Sequence, residues 1–373
     1  NYLRVAQLCG VFLLILSFVF IALTYVTITS NRPATIPSVF DHCPDCKQVD
    51  LTMPMYKVPI GYHPAEQVSE ETTYVCKGFD LGEQDMHAVE FAPIVDNPDV
   101  LHHMIMWSVP IDMRDRGYFP CLAMPEGALP LWVWAVGVGN HRPPPNVGYP
   151  VGGQSKFRYV ALQVHYDNPT LSANVHDNSG VQISMTPQKR EYDGAFLFIG
   201  TTIEDIRLPP RAPRVEISGE CFLSNLPYEI NVYEAGTHAH KLGRVLWYEH
   251  FRNNNRIRWG PTNPHYDFNR QIGELTSFKI QNGDALVQHC VYDTRTASNT
   301  VVGGDGTDNE MCLGTLYYYP AVDASFCGSL PRIWNESDVH FDPSNDDTMD
   351  MPARLYPKDF DPKKASGTFV GKK

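Results

Sequence analysis

The sequence predicts an all-β fold of two antiparallel β-sandwiches in series, preceded by one membrane-spanning helix. From about residue 70 onward, short runs rich in valine, isoleucine and aromatic residues recur, separated by glycine, proline, asparagine and aspartate. No helical periodicity is evident after the first 30 residues. With 373 residues and 43% hydrophobic content, the chain can bury two cores of ordinary domain size.

The N-terminal segment predicts the membrane span. Residues 8–28 read LCGVFLLILSFVFIALTYVTI and carry no charged side chain. A helix of about 20 such residues crosses a bilayer, whereas a signal peptide has a shorter apolar core of about 7–15 residues and a small-residue cleavage site. No such cleavage site is evident, so we expect a transmembrane signal-anchor within residues 1–30.

Composition divides the rest of the chain into four parts. Residues 31–60 are proline-rich and polar, which is typical of a linker. Charged and turn-forming residues gather at 185–194, so we expect an N-terminal domain at 61–190 and a C-terminal domain at 191–330. Residues 331–373 lack the apolar content of a core and are expected to form an extended or disordered tail.

Charge and cysteine content indicate the compartment. A formal net charge of −12 argues against nucleic acid as a partner, because nucleic-acid-binding proteins present basic surfaces. Of the nine cysteines only Cys9 lies in the predicted span. The other eight are an even number, which suits four disulfides in an oxidising compartment. The sequon Asn335-Glu336-Ser337 fits a glycoprotein. We expect a single-pass membrane protein whose bulk is lumenal or extracellular, with membership of a membrane-protein assembly left open.

Unusual histidines occur in two strand-like segments of the N-terminal half. VLHHMIMW (100–107) contains His102 and His103, and adjacent rings can reach one ion if the strand ends or bends there. In FRYVALQVHY (157–166), Gln163 and His165 share the face opposite the apolar row. A surface histidine is the alternative for His165.

The C-terminal half contributes further ligand-type residues. THAH places His238 and His240 on one face of an extended segment, and DNEMC places Met311 beside a cysteine in an expected exposed turn. Imidazole with thioether selects copper, whereas three histidines alone also suit zinc. Two such low-coordinate sites would form redox machinery. The remaining histidines are expected on surfaces or in turns: His42, His63, His87, His141, His176, His250, His265, His289 and His340.

Seven ordered motifs resemble those of the type II, ascorbate-dependent copper monooxygenases. They look closest to the dopamine-hydroxylase-like branch. This resemblance implies two jelly-roll-like sandwiches whose coppers face each other across a solvent-filled cleft. The motifs are ETTYVC (71–76), VLHHM (100–104), LQVHYDNP (162–169), THAHKLGR (237–244), HYDFNRQ (265–271), QNGDALVQHC (281–290) and VGGDGTDNEMCLGTLYYYP (302–320).

The resemblance implies two coppers per chain and ascorbate as the reductant. The first copper stores an electron, and the second is the catalytic one, where dioxygen binds and a substrate C–H bond is hydroxylated. Gln163 and Tyr74 match residues that lie near the first copper and contact its surroundings without being its ligands. The implied ligands are His102, His103 and His165 for the first copper, and His238, His240 and Met311 for the second.

The resemblance also implies a disulfide framework. Cys43 and Cys46 have no clear counterpart in the family. A local disulfide is the favoured interpretation for this pair, and a redox or zinc role would need further ligands. The implied bridges are Cys76–Cys121, Cys221–Cys327 and Cys290–Cys312.

Departures from the family pattern bear on the substrate. The positions that hold a substrate carboxylate in the peptidylglycine branch carry Gly236, Leu313 and Thr315 here, which argues against peptide amidation. The hypothesis is a membrane-tethered monooxygenase that hydroxylates a small organic substrate with O₂ and ascorbate. One alternative is a catalytically silent structural or interaction subunit that retains the fold. Another is a zinc hydrolase using His102, His103 and His165.

Overall fold

A computed structural model describes residues 43–54, 56–57, 71–122, 127–172, 174–271 and 273–334. The predicted membrane span, most of the linker, the sequon and nearly all of the tail lie outside these residues. Within the described part of the chain, no helix is both long and apolar enough to cross a membrane.

The predicted all-β class is confirmed, because the described residues form strands and two short 3₁₀ helices, Arg114–Arg116 and Ile203–Asp205, but no α-helix. In the first half the strands are β1 Lys47–Thr52, β2 Tyr56–Lys57, β3 Thr72–Asp80, β4 Met86–Ile94, β5 Leu101–Ser108, β6 Tyr118–Pro120, β7 Pro130–Ala135, β8 Val147–Val151, β9 Tyr159–Asp167, β10 His176–Asp177, β11 Gly180–Thr186 and β12 Tyr192–Asp193. In the second half they are β13 Ala195–Thr201, β14 Arg207–Leu208, β15 Val215–Phe222, β16 Ile230–His238, β17 Gly243–Arg252, β18 Asn255–Asn263, β19 Gly273–Ile280, β20 Ala285–Tyr292, β21 Val301–Val302, β22 Leu313–Tyr319, β23 Phe326–Ser329 and β24 Arg332–Trp334.

Two five-stranded sheets are built from the first half of the chain. Their strand orders are β1-β11-β4-β8-β12 and β6-β3-β9-β5-β7. Alternation along β9 buries the apolar row that the sequence predicts, so Val160 and Leu162 are fully enclosed in the core. Trp132 of β7 joins the same core cluster.

Two further five-stranded sheets are built from the second half. Their orders are β19-β16-β22-β13-β23 and β18-β17-β20-β15-β24. Most strand pairs are antiparallel, as predicted, but β12 pairs with β8 and β13 with β23 in parallel. Because β12 pairs with β8, Tyr192 and Asp193 belong to a sheet of the first half. The domain bounds at 190 and 191 stay a prediction.

The described residues contain four disulfides. The bond Cys43–Cys46 is local, as the favoured interpretation has it. The other three are the bonds that the resemblance implies. They are Cys76–Cys121, Cys221–Cys327 and Cys290–Cys312.

The sheet that contains β5 and β9 lies against the sheet that contains β16 and β22. The Val133 amide donates a hydrogen bond of 3.0 Å to the Tyr317 hydroxyl, and the hydroxyls of Thr72 and Thr307 are 3.0 Å apart. These contacts join residues more than 180 positions apart in the chain. They bring together the inner faces of two sheets that carry the histidine motifs.

Candidate metal centre

Three buried imidazoles meet between β5 and β9. The pairing of β5 with β9 shifts register between Leu101 and His103, so His102 is an extra residue in its strand. Such a β-bulge re-aims a side chain that would otherwise point to the opposite face. The bulge supplies the bend that adjacent rings need to reach one ion, and it lets the rings of His102 and His103 approach His165 together.

The Nδ1 atoms of these three rings converge. His103 Nδ1 lies 3.2 Å from His102 Nδ1 and 3.1 Å from His165 Nδ1. Burial lowers the pKa of His102 to about 3 and those of the other two well below the ordinary value, so protons are poor bridges between the rings. A cation that accepts neutral imidazole ligands fits this arrangement.

Tyr74 and Gln163, next to the first histidine group, make specific contacts with neighbouring segments. The Tyr74 ring stacks on His165 with centroids 4.4 Å apart, and its hydroxyl donates to the Asp305 backbone carbonyl at 2.8 Å. The Gln163 carbonyl oxygen accepts from the Trp107 indole at 3.0 Å. These contacts fix the surroundings of the His165 ring.

A second histidine group lies at the end of β16. The His238 Nδ1–H donates to the Gln271 carbonyl oxygen at 2.6 Å, and the His240 Nδ1–H donates to the Asn309 backbone carbonyl at 3.1 Å. Because both acceptors can only accept, each neutral ring carries its proton on Nδ1 and has a lone pair on Nε2. The His240 Nε2 atom is buried and has no hydrogen-bond partner among the described residues.

The segment around Met311 is tightly held. The Met311 carbonyl accepts a hydrogen bond of 2.6 Å from the Tyr292 hydroxyl, and the disulfide Cys290–Cys312 follows directly. The Glu310 carboxylate accepts from the backbone amides of His240 at 2.9 Å and Leu242 at 2.7 Å. Met311 is buried, so the expected exposed turn is wrong.

One cavity of about 430 Å³ connects the two groups. His103 lines it from the first half, and His238 and Met311 line it from the second. The ring centroids of His103 and His238 are 6.4 Å apart. Of the predicted site residues, Tyr74 and Gln163 also line this cavity, whereas His102, His165 and His240 lie just behind its surface.

The donor set fits copper. Imidazole and thioether ligands favour Cu(I), and the protein holds the imidazoles neutral by burial. The Nδ1 spacing of 3.1–3.2 Å in the first group is close to the roughly 3.3 Å expected between nitrogens that share a metal at about 2.0 Å. In the second group, the buried His240 Nε2 atom has no hydrogen-bond partner among the described residues, which also fits a metal ligand.

Comparison with known families agrees with this geometry. Residues 61–173 match the N-terminal domain, and residues 192–333 the C-terminal domain, of the copper type II ascorbate-dependent monooxygenases. The chain belongs to this family. Copper and ascorbate are therefore the cofactors of the family to which these histidine groups belong.

Relatives with assigned names cover most of this chain but only part of their own length. A tyramine β-hydroxylase of Caenorhabditis briggsae is 33% identical over 69% of this chain and 47% of its own. Human DBH-like monooxygenase protein 1 is 29% identical over 72% of this chain and 48% of its own length. Human dopamine β-hydroxylase is 28% identical over 70% of this chain and 46% of its own length. The chain thus spans about half the length of the relatives it matches.

Several residues that support this candidate metal centre were missed by sequence reasoning. Gln271 and Asn309 lie inside the quoted motifs, but nothing in the local pattern indicates that they hold His238 and His240. The sequence offers one usable signal for a supporting residue, which is the acid Glu310 directly before Met311. In the structure, burial raises the pKa of Glu310 to about 8. Such a carboxyl is expected to have a specific structural partner.

The expectation that the other histidines lie on surfaces or in turns is wrong for four of them. Each is buried because an acid or backbone group distant in sequence satisfies its ring. The Glu234 carboxylate, for example, accepts from His141 at 2.7 Å. The four are His87, His141, His250 and His289.

Proposed function

We propose that this chain is a membrane-tethered copper monooxygenase that hydroxylates a C–H bond of a small organic substrate with O₂ and ascorbate. Its proposed ligands are the two histidine groups, with Met311, of which His103, His238 and Met311 line the cavity. The proposal places the catalytic part in the lumen or outside the cell, anchored through residues 8–28. The four disulfides support an oxidising compartment.

The observation that carries the proposal is the approach of two differently built ligand groups to one cavity. A substrate in the cavity would contact His238 and Met311 directly, and His103 lines the same cavity. When bound, copper would supply one-electron redox chemistry and an open position for oxygen. The protein supplies buried ligand rings in fixed orientations.

Specific residues of the chain hold the proposed second group in one geometry. Gln271 and Asn309 keep protons on the Nδ1 atoms of His238 and His240, which leaves both Nε2 atoms as ligands. Glu310 fixes the backbone between those rings by accepting two amide hydrogen bonds. Met311 is the flexible member of the set, and its backbone is fixed by Tyr292.

The cavity wall supports a substrate that is neither anionic nor large. Of the described residues that line the cavity, none is a lysine or arginine, whereas Glu204, Glu234 and Asp305 are acids. Gly236, Leu313 and Thr315 all line it, so the positions predicted to lack a carboxylate-binding group face the substrate space. We propose an uncharged or cationic aromatic substrate, as the names of the tyramine and dopamine hydroxylases would suggest for their own reactions.

The test is metal content together with oxygen uptake by the full chain in detergent. We expect two coppers per chain and ascorbate-dependent O₂ consumption with aromatic amines and phenols. Met311→Ala should retain the fold and lose most of the uptake, because the thioether tunes the oxygen-binding copper. Two bound coppers without uptake under any condition would favour the silent structural alternative, and one bound zinc would favour the hydrolase.

A further inference from the structure

The cavity has two chemically different ends. Residues of β16 that alternate on one face, Glu234, Gly236 and His238, all line it. The opposing β22 residues Tyr317, Thr315 and Leu313 pair with them in the same order and line it too. The proposed metal ligands therefore occupy one end of this surface, and a carboxylate occupies the other.

The distance between the two ends is set by the strand. Glu234 and His238 are four residues apart, which places their Cα atoms about 13 Å apart along β16. Gly236 lies between them and has no side chain, so this position of the strand leaves space in the cavity. The cavity is also lined by Ile105, Trp107 and Phe198, which suit an aromatic ring.

Glu234 is held by a buried polar cluster. His141 donates from Nδ1 to one carboxylate oxygen of Glu234 at 2.7 Å, and its ring stacks on Tyr317 with centroids 3.9 Å apart. At Nε2 the ring lies 3.1 Å from the Tyr149 hydroxyl and 3.3 Å from the Tyr233 hydroxyl, and these two hydroxyls contact each other. His141 and the three tyrosines are buried, and His141 comes from the other half of the chain.

The Glu234 side chain is partly exposed and lines the cavity. It keeps 13% of its surface exposed, whereas that of His141 keeps 2%. The two tyrosines contact His141 and each other, and burial raises their pKa values so that both hydroxyls stay protonated. His141 bonds one carboxylate oxygen of Glu234, so the other oxygen can accept a hydrogen bond from a bound molecule.

We infer that Glu234 is a specificity-determining residue that binds the hydrogen-bond-donating distal end of the substrate, and that His141 is the residue that positions it. The reacting carbon then lies near His238 and Met311, about one substituted aromatic ring away from the anchored donor. This inference rests on the proposed function for the identity of the reacting end. The donor is an ammonium or a phenol hydroxyl, since both bind a carboxylate in the same way.

The test compares binding of four probes to the full chain, without copper and with copper, by calorimetry. The probes are 4-ethylphenol, 2-phenylethylamine, tyramine and ethylbenzene. Glu234→Gln keeps the acceptor for His141 but removes the charge, and should weaken the donor-bearing probes about ten- to hundredfold while leaving ethylbenzene unchanged. A loss of affinity for 4-ethylphenol in Glu234→Gln identifies a phenol hydroxyl as the anchored group. A loss of affinity for 2-phenylethylamine identifies an ammonium.

Two matched variants separate anchoring from general charge and from folding. Glu204→Gln removes another acid of the same cavity and should change none of the affinities more than twofold. His141→Phe should weaken the donor-bearing probes alone, and His141→Gln, which can still donate to Glu234, should restore them in part. Thermal unfolding of each variant checks that the fold is retained.

Three outcomes overturn the inference: no binding of any donor-bearing probe, equal losses in Glu204→Gln and Glu234→Gln, or an equal loss of ethylbenzene affinity in Glu234→Gln. Because copper-free binding is measured, the result is independent of turnover. A chain that binds the probes through Glu234 but consumes no oxygen would refute the proposed function and leave the anchoring role standing.

Discussion

The two histidine groups hold their rings by different means. In the first group the backbone does so, because a bulge in β5 and its pairing with β9 direct three Nδ1 atoms to one point. In the second group side-chain hydrogen bonds do so, because Gln271 and Asn309 occupy Nδ1 and leave Nε2 available. The first group is thus a fixed constellation, and the second depends on residues from other segments.

This difference matches the roles proposed for the two coppers. A centre that only stores an electron benefits from ligands that do not move between oxidation states. A centre that binds oxygen must accept a change in coordination, and a thioether such as Met311 tolerates that change. The strands that fix the first group and the Met311 thioether of the second group therefore lead to different expectations for substitutions in each group.

The largest effect is expected where the backbone fixes the ligands. His165→Ala removes one of three convergent nitrogens, and neither His102 nor His103 can move to compensate because both lie in a paired strand. Copper content should fall from two ions to one per chain, measured by mass spectrometry. Met311→Ala, in the adjustable group, should weaken copper binding without abolishing it. Equal copper losses in the two variants would contradict the distinction.

A smaller effect is expected from the hydrogen bonds of the second group. Gln271→Leu removes the acceptor that fixes the His238 tautomer, so copper affinity at this group should fall about ten- to a hundredfold. Gln271→Glu is the matched control, because it restores an acceptor of the same length. Competition with a copper chelator measures the affinities. An unchanged affinity in the leucine variant would show that packing alone orients the His238 ring.

The sequence predicts the ligand types better than it predicts how they are held. His238 and His240 follow from strand alternation, and His165 lies on the predicted face beside Gln163. The bulge at His102 could be anticipated as a bend but not located, because it depends on the register with β9. Alternation within one strand contains no information about a partner strand.

Burial of polar residues was the part that the sequence could not predict. His141 has the local pattern of a loop histidine, yet it is buried because the Glu234 carboxylate, 93 residues away, accepts a hydrogen bond from its ring. The Glu310 carboxylate is also buried, and it accepts hydrogen bonds from backbone amides 68 and 70 residues away in the chain. Such residues become acceptable in a core only once segments distant in sequence have met, so no local pattern marks them.

The smallest effect concerns Asp305, at the boundary between the two groups. Its backbone carbonyl accepts from Tyr74 of the first group, and its side chain lines the cavity beside Met311 of the second. Burial, and then the nearby Glu204 charge, raise the Asp305 pKa from 3.8 to about 6. The native state therefore keeps a proton that the unfolded chain has released between about pH 4 and 6, and the free energy of unfolding should decrease as pH rises through this window.

Asp305→Asn tests this expectation, because it removes the titration and retains the backbone contact with Tyr74. Thermal unfolding of the copper-free chain between pH 4 and 7 should show a shallower decrease in stability for the variant than for the wild type. Glu204→Gln should lower the Asp305 pKa and shift the window to lower pH. Parallel stability curves for wild type and Asp305→Asn would show that the carboxyl is solvated in the native state, and that the boundary between the two groups is open to water.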